Sequence, residues 1–313
     1  MKNIQKAGLK VILLGLILGN LAFNSVYGQA FDKEKVFAAF NENFERLNQK
    51  NTCISGLNEI REAFFNSKTG EVLIAAHRGD HMEAPENSIP SFLDAAKYGT
   101  AIVELDIRNS SDDSLMVIHD GTVDRTTTGK GKVDSQTFQN LRNYTLINEF
   151  TGDTTDLKIP TLFESLAELK GKVMVDLDIK CDRIKEIYQV VEKLDMFDQS
   201  IFFCDEADMD YVLSKNPKAL VMPRANSMES LEKLMNKYNP SIIHIDNKNF
   251  DVPSAVTLIK RINPSCRIWA NSLGERDIKA IFGDDSGIEE LANLGINVIQ
   301  TDLPRYAGSL LCN

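Results

Sequence analysis

From Val72 onward the chain repeats one unit: a short β-rich apolar run, a polar or charged end, and then usually a helical segment. Candidate strands occupy 72–76, 101–107, 114–119, 173–179, 200–204, 219–222, 241–246, 266–270 and 297–301. Between them helical spacing recurs, for example from Ser88 to Tyr98, Thr161 to Leu169, Asp182 to Leu194, Glu229 to Tyr238, Ser254 to Ile262 and Ile288 to Leu294. Strands alternating with helices require a mostly parallel sheet, and eight or so units over about 240 residues give an α/β fold of the (β/α)₈ TIM barrel type.

Nine candidate strands compete for eight places. The runs 101–107 and 114–119 are too close for a helical crossover. That pair forms either a hairpin or an extended return through "RNSSDD", so irregularity is expected near strands 2 and 3. Residues 121–160, rich in Thr, Gly and Asp, read as a small excursion from the barrel rim. Ahead of the barrel, Phe37, Phe40, Phe44 and Leu47, then Ile54, Leu57, Ile60 and Phe64, predict two amphipathic helices. The expected domain organisation is a signal peptide over 1–28, a helical segment over 29–70 packed on the barrel, and the barrel domain over 71–313.

The signal peptide is read from Lys2, Lys6 and Lys10 ahead of an apolar run from Val11 to about Leu18, with Val26 and Gly28 at the cut. Gly15, Gly19 and Asn20 interrupt that run before it reaches the length of a membrane span, so export to a periplasm or medium is expected rather than anchoring. Cleavage leaves 32 basic against 45 acidic side chains, an acidic surface that argues against nucleic acid as a partner. The five cysteines are odd in number and widely spaced, with no CxxC or Cys/His metal spacing, and carry no evident chemistry.

In a barrel of this kind the site lies at the C-terminal ends of the strands, and these ends are charged. His77 and Arg78 close the first strand, Glu104 and Asp106 sit near the end of the second, and His119 and Asp120 follow "SLMVI". Asp178 and Lys180 end "KVMVDLDIK", and Asp302 ends "NVIQTD". Residues two apart on a strand share a face, so Glu104 pairs with Asp106, and Asp176 with Asp178 and Lys180. A single Asp at a strand end is more often a helix cap, and a lone buried His more often a satisfied core residue. Five such ends together point to a site. Three converging carboxylates suit a hard divalent cation, Mg²⁺ or Ca²⁺; two histidines beside them also suit Zn²⁺ or Mn²⁺.

These residues resemble the glycerophosphodiester phosphodiesterase family. The resemblance is carried by "HRGDHMEAPENS", "AAKYGTAIVELDIR", "MVIHDGTVDRTTTGKG", "KIPTLFESL", "VDLDIK" and "GINVIQTDLP", in order over residues 77 to 304. It implies a (β/α)₈ barrel with a small excursion, a divalent cation, and hydrolysis of glycerophosphodiesters to glycerol 3-phosphate and an alcohol. It also implies His77 and His119 as acid and base, and Glu104, Asp106 and Asp178 as metal ligands. Arg78, Glu86 and Lys180 would hold phosphate and the neighbouring side chains. Trp269, in "RIWANSLG", would line the pocket or belong to the core. The chain departs from the family pattern at Asp80 in place of a second Gly, at Ser88 in place of Thr, and at Asp178 in place of Glu. His81 and Asp80 are expected to take no part in the chemistry.

Two imidazoles can hold opposite protonation states near neutral pH, which fits phosphodiester cleavage. No Ser or Cys nucleophile motif competes, so attack by the substrate's own glycerol hydroxyl, through a cyclic phosphate, is expected. Rival readings are a phospholipase of the phosphatidylinositol-specific or sphingomyelinase D type, and a catalytically silent phosphodiester-binding barrel. The tripeptide Arg78-Gly79-Asp80 as an adhesion signal has little support, since it follows a buried strand.

Overall fold

The computed structural model describes residues 33–49, 54, 56–66, 71–149, 151–246 and 251–311. The expected signal peptide, Cys53 and Cys312 lie outside them. Among the described residues no helix is long and apolar enough to cross a membrane.

Ten strands are described: β1 (Leu73–Ala76), β2 (Ile102–Asn109), β3 (Leu115–Val117), β4 (Met174–Ile179), β5 (Ser200–Phe203), β6 (Leu220–Val221), β7 (Arg224–Ala225), β8 (Ile242–Ile245), β9 (Arg267–Asn271) and β10 (Val298–Thr301). They pair in the order β6-β5-β4-β2-β1-β10-β9-β8-β7, all parallel along this path. β6 and β7 are two pieces of one strand. Met222 N–H still donates to Phe202 in β5, while Pro223, which has no N–H, accepts from His244 in β8. The chain therefore passes from one neighbour to the other at the proline, and eight parallel positions close into a ring. β3 is the surplus ninth candidate: it lies off the ring, antiparallel to β2, so the close pair is a hairpin.

Register explains how a barrel interior comes to hold four carboxylates. Glu104 pairs with Asp176 and Asp106 with Asp178, so "ELD" and "DLD" run side by side in phase. Their acids point to the inner cavity, while Val103, Leu105, Val175 and Leu177 point outward into the helix layer. In a separate apolar cluster, Val36, Phe40 and Leu47 of the N-terminal helices gather with Ile74, Leu303 and Tyr306.

The loop after β1 is fixed by the helix Ile89–Lys97 that follows it. Ser88 caps that helix, accepting from Ser91 N at 3.3 Å, and Ser91 Oγ donates to Arg78 O at 3.2 Å. Gly79, at φ 83°, is required there: a Cβ would stand 2.5 Å from Ser91 Oγ and 2.8 Å from its carbonyl carbon. Between β3 and the helix Leu162–Leu169 the chain leaves the ring. This segment carries a small apolar cluster of its own around Val123, Val133, Leu141 and Leu146, joined to Met116 and Ile118.

Candidate active site

A cavity of about 310 Å³ opens at the C-terminal ends of the strands. His77, Arg78, Glu104, Asp106, His119, Asp178 and Trp269 of the sequence reading all border it. Glu86 and Lys180 do not; each stands behind a residue that does. Asp176, Arg224, His244 and Asn271 border it as well.

Glu104, Asp106 and Asp178 present oxygens that all lie within 4.8 Å of one another. Glu104 Oε2 accepts from the Arg78 backbone N–H at 2.8 Å, while Oε1 is buried with no donor. Burial, then the charges of Asp106, Asp178 and Asp176, push the Glu104 carboxyl well above its usual range. Burial also works to raise Asp106, but Arg78, then Lys180, outweigh it and hold that carboxylate charged. Lys180 Nζ donates to Asp178 at 2.6 Å and sits 3.2 Å from Asp106. Asn87, itself at φ 53°, donates to Asp106 Oδ2 at 2.7 Å and accepts from the Asp106 N–H at 3.2 Å. An acid forced toward neutrality beside two further carboxyl groups, with a buried oxygen lacking a donor, is a donor set that fits a divalent cation.

Arg78 adopts the left-handed conformation, φ 54°, at the turn out of β1. Its guanidinium leans on Glu86 at 3.1 and 3.2 Å and on Asp106 at 3.3 Å, leaving Nη2 without a partner beside the cavity. Both histidines are oriented by carboxylates: His77 Nδ1 meets Asp302 at 2.7 Å and His119 Nδ1 meets Asp120 at 2.6 Å. With Nδ1 engaged, Nε2 is the nitrogen each ring has left for chemistry. Burial, then Arg78, lowers the His77 pKa below its ordinary value, against the opposing pull of Asp302.

Asp302 also meets His81 Nε2 at 3.2 Å, so His77 and His81 share one carboxylate. Asp80 forms a buried ion pair with Arg305, whose guanidinium also lies 4.1 Å from the Tyr98 ring centre. That pair ties the loop after β1 to the last helix. Trp269 is buried in the wall, donating from Nε1 to Asn271 at 3.0 Å, so it belongs to the core and the lining at once. His244 is buried against Phe203, and burial, then Arg224, drives its pKa down to about 4.

Residues 77–260 match the model of the glycerophosphoryl diester phosphodiesterase family. Glycerophosphodiester phosphodiesterase 1 of Bos taurus is 39% identical over 132 residues, which are 38% of this chain and 39% of that protein. The chain thus spans well under half the length of that curated relative. Among solved structures, a glycerophosphodiester phosphodiesterase from Agrobacterium tumefaciens superposes with a TM-score of 0.63 at 25% identity, covering 76% of this chain and 99% of that one. A phosphodiesterase from Oleispira antarctica, solved in complex with the product sn-glycerol-3-phosphate, superposes at 0.64 with 19% identity over 79% and 99%. With the family's motifs spread around one ring of strand ends, the chain belongs to the glycerophosphoryl diester phosphodiesterase family.

Proposed function

We propose that the protein hydrolyses glycerophosphodiesters to glycerol 3-phosphate and an alcohol, with His77 as base and His119 as acid beside a divalent cation. The observation that carries this reading is the meeting of two carboxylate-oriented histidines and a three-carboxylate cluster on one cavity. The product held by the Oleispira antarctica protein supports the same product here. Glu104, Asp106 and Asp178 would hold Mg²⁺ or Ca²⁺ through oxygen alone. Bound there, the cation supplies positive charge to the nonbridging phosphate oxygens.

The chain's own groups do the rest. Arg78 Nη2, left without a partner, is placed to donate to the phosphate. His77, held toward its neutral form by burial, takes the proton from the glycerol hydroxyl next to the ester as that oxygen bonds to phosphorus. The phosphorus bond to the departing alcohol breaks, and His119 gives that oxygen its proton. Water then opens the cyclic phosphate with the two histidines in exchanged roles, which restores both.

The substrate is a small water-soluble diester. Residues 1–28 are a signal peptide and the mature protein is exported, to a periplasm or the medium; Lys2, Lys6 and Lys10 before the apolar run support this, and N-terminal sequencing of the mature chain checks it. The function is tested with a panel of metals against glycerophosphocholine, -ethanolamine, -inositol and -glycerol, alongside intact phospholipid vesicles. Glycerol 3-phosphate should appear with Mg²⁺ or Ca²⁺, disappear with chelator, and form about 10³-fold more slowly in His77→Ala and His119→Ala. Turnover at the native rate in both variants, or cleavage of vesicles alone, would overturn the reading.

A further inference from the structure

Behind the cavity wall lies a second polar cluster: Arg125, Glu86, Asp120 and Glu149, none of which lines the cavity. At its centre Arg125 uses every N–H it has. Nε donates to Asp120 Oδ2 at 2.7 Å; Nη2 donates to Asp120 Oδ1 at 3.0 Å and Glu86 Oε1 at 2.8 Å. Nη1 donates to Glu86 Oε2 at 2.9 Å and Glu149 Oε1 at 2.7 Å. Only a guanidinium offers five donors in one rigid plane; an ammonium offers three on a flexible stem.

Two of the three carboxylates gripped by Arg125 each grip a cavity side chain with the same group. Glu86 accepts twice from Arg78 Nη1, and Asp120 takes His119 Nδ1. The contacts run as an unbroken line, Arg78 to Glu86 to Arg125 to Asp120 to His119, from the phosphate side of the cavity to the acid side. We infer that Arg125 is a positioning residue that fixes His119 relative to Arg78, acting through Asp120 and Glu86. The inference rests on the phosphodiesterase reading for what Arg78 and His119 do, but the geometry it asserts does not.

Charge within the cluster is consistent with a permanent, rigid brace. Burial works to raise Glu86, but Arg78 and Arg125 overcome it and keep the carboxylate ionised. Burial, then Glu86, pushes Glu149 up to about 10, so it is neutral at pH 7. Two guanidiniums therefore face two carboxylates, with a neutral carboxyl closing the fifth donor. The backbone that delivers Arg125 is pinned as well: Ile147 N–H donates to Thr126 O at 2.9 Å, and Thr127 Oγ1 donates to Val123 O at 2.7 Å.

The test compares the full chain with Arg125→Lys, Arg125→Gln and Asp120→Asn by nitrogen-15 NMR of the histidine rings and by steady-state kinetics. In the native chain neutral His119 should be held as the Nδ1–H tautomer. In Arg125→Gln it should become a mixture with Nε2–H, as in Asp120→Asn, with Arg125→Lys between. With glycerophosphocholine, kcat should fall about 10- to 100-fold in Arg125→Gln while KM moves less, the size of effect seen when a supporting hydrogen bond is removed. In the native background Glu86→Gln and Asp120→Asn should show non-multiplicative losses, and in the Arg125→Lys background they should multiply. An unchanged tautomer in Arg125→Lys and Arg125→Gln, with multiplicative losses in both backgrounds, overturns the inference. A native chain that cleaves no diester, yet loses its His119 tautomer in Arg125→Gln, overturns the functional reading and leaves the brace standing.

Discussion

The two histidines reach the same local arrangement by opposite means. His77 ends β1, and its carboxylate, Asp302, arrives from the end of the neighbouring strand β10, held by the parallel register of the two. His119 stands off the ring, its carboxylate is the next residue in the chain, and a guanidinium holds that carboxylate in place. The surroundings differ in kind. Asp302 is backed by another acid, Asp277, whose Oδ2 accepts the Asp302 N–H at 2.9 Å. Asp120 is backed by a cation and is the wetter of the two sites, with the His119 side chain 26% exposed against 10% for His77. Strand register brings Asp302 to His77 without a cation behind the carboxylate. On the excursion, the Arg125 guanidinium holds Asp120 against His119.

The sharpest way to break this comparison is to ask the two imidazoles for different things. Against glycerophosphocholine, His77→Ala and His119→Ala should each lose about 10³-fold in kcat/KM, the middle of the range for general acid–base catalysis. Against a p-nitrophenyl ester of glycerol phosphate, whose leaving group departs without a proton, His119→Ala should recover to within about tenfold of native while His77→Ala stays down. The reverse pattern in the two variants would exchange their roles.

A smaller effect separates the two supporting carboxylates. Asp302→Asn should cost about 100-fold in kcat and Asp120→Asn about tenfold, since the drier partner is replaced less well by water. Asp302 raises the His77 pKa, so its removal should also move the acid limb of the kcat/KM profile to lower pH; a base must be unprotonated, and a weaker base reaches that state sooner. Equal losses and an unmoved acid limb would erase the distinction between the two sides.

The barrel was legible because its strands are apolar runs with charged ends, and the carboxylate cluster because "ELD" and "DLD" alternate within those runs. What the sequence hid depends on contacts between distant elements. The candidate strand at 219–222 ends at Pro223, and only the ladder shows that it resumes as Arg224–Ala225. His244 lies in "IIHI" two residues before Asp246, but a lone histidine within an apolar run reads as core rather than as cavity wall. Asp277 reads as an ordinary acid in the first turn of the helix Glu275–Ile281, and its burial against Asp302 comes from tertiary packing alone. Arg125 sits in a stretch whose composition suggests a solvated rim, and Glu86 and Glu149, the carboxylates that employ it, are 39 and 24 residues away.

The smallest effects lie in stability against pH, where the two sides should carry opposite signs. Burial, then the charge of Asp302, pushes Asp277 up to about 7, so the folded protein keeps a proton that the unfolded chain sheds near pH 4. Its Oδ1 accepts from Ser272 Oγ at 2.5 Å and from Thr301 Oγ1 at 2.9 Å, and these bonds offset only part of the upward push. The unfolded state binds fewer protons across that window, so this group's contribution falls as pH rises from about 4 to 7, by of order 3 kcal/mol. Asn reproduces the neutral form. Asp277→Asn should therefore match the native chain in urea unfolding near pH 4 and exceed it progressively toward pH 8. Asp120 runs the other way: burial works to raise it, but hydrogen bonds from His119 and Arg125 win and hold it below its ordinary value. It stabilises the fold above about pH 4 and loses that contribution as pH falls, by about 1 kcal/mol or less, because a carboxylate this exposed is screened by water. Asp120→Asn should therefore narrow its deficit as pH is lowered, while Asp277→Asn loses its advantage over the same titration. Parallel stability curves for both variants would mean that the acid-backed and cation-backed histidines differ in position only.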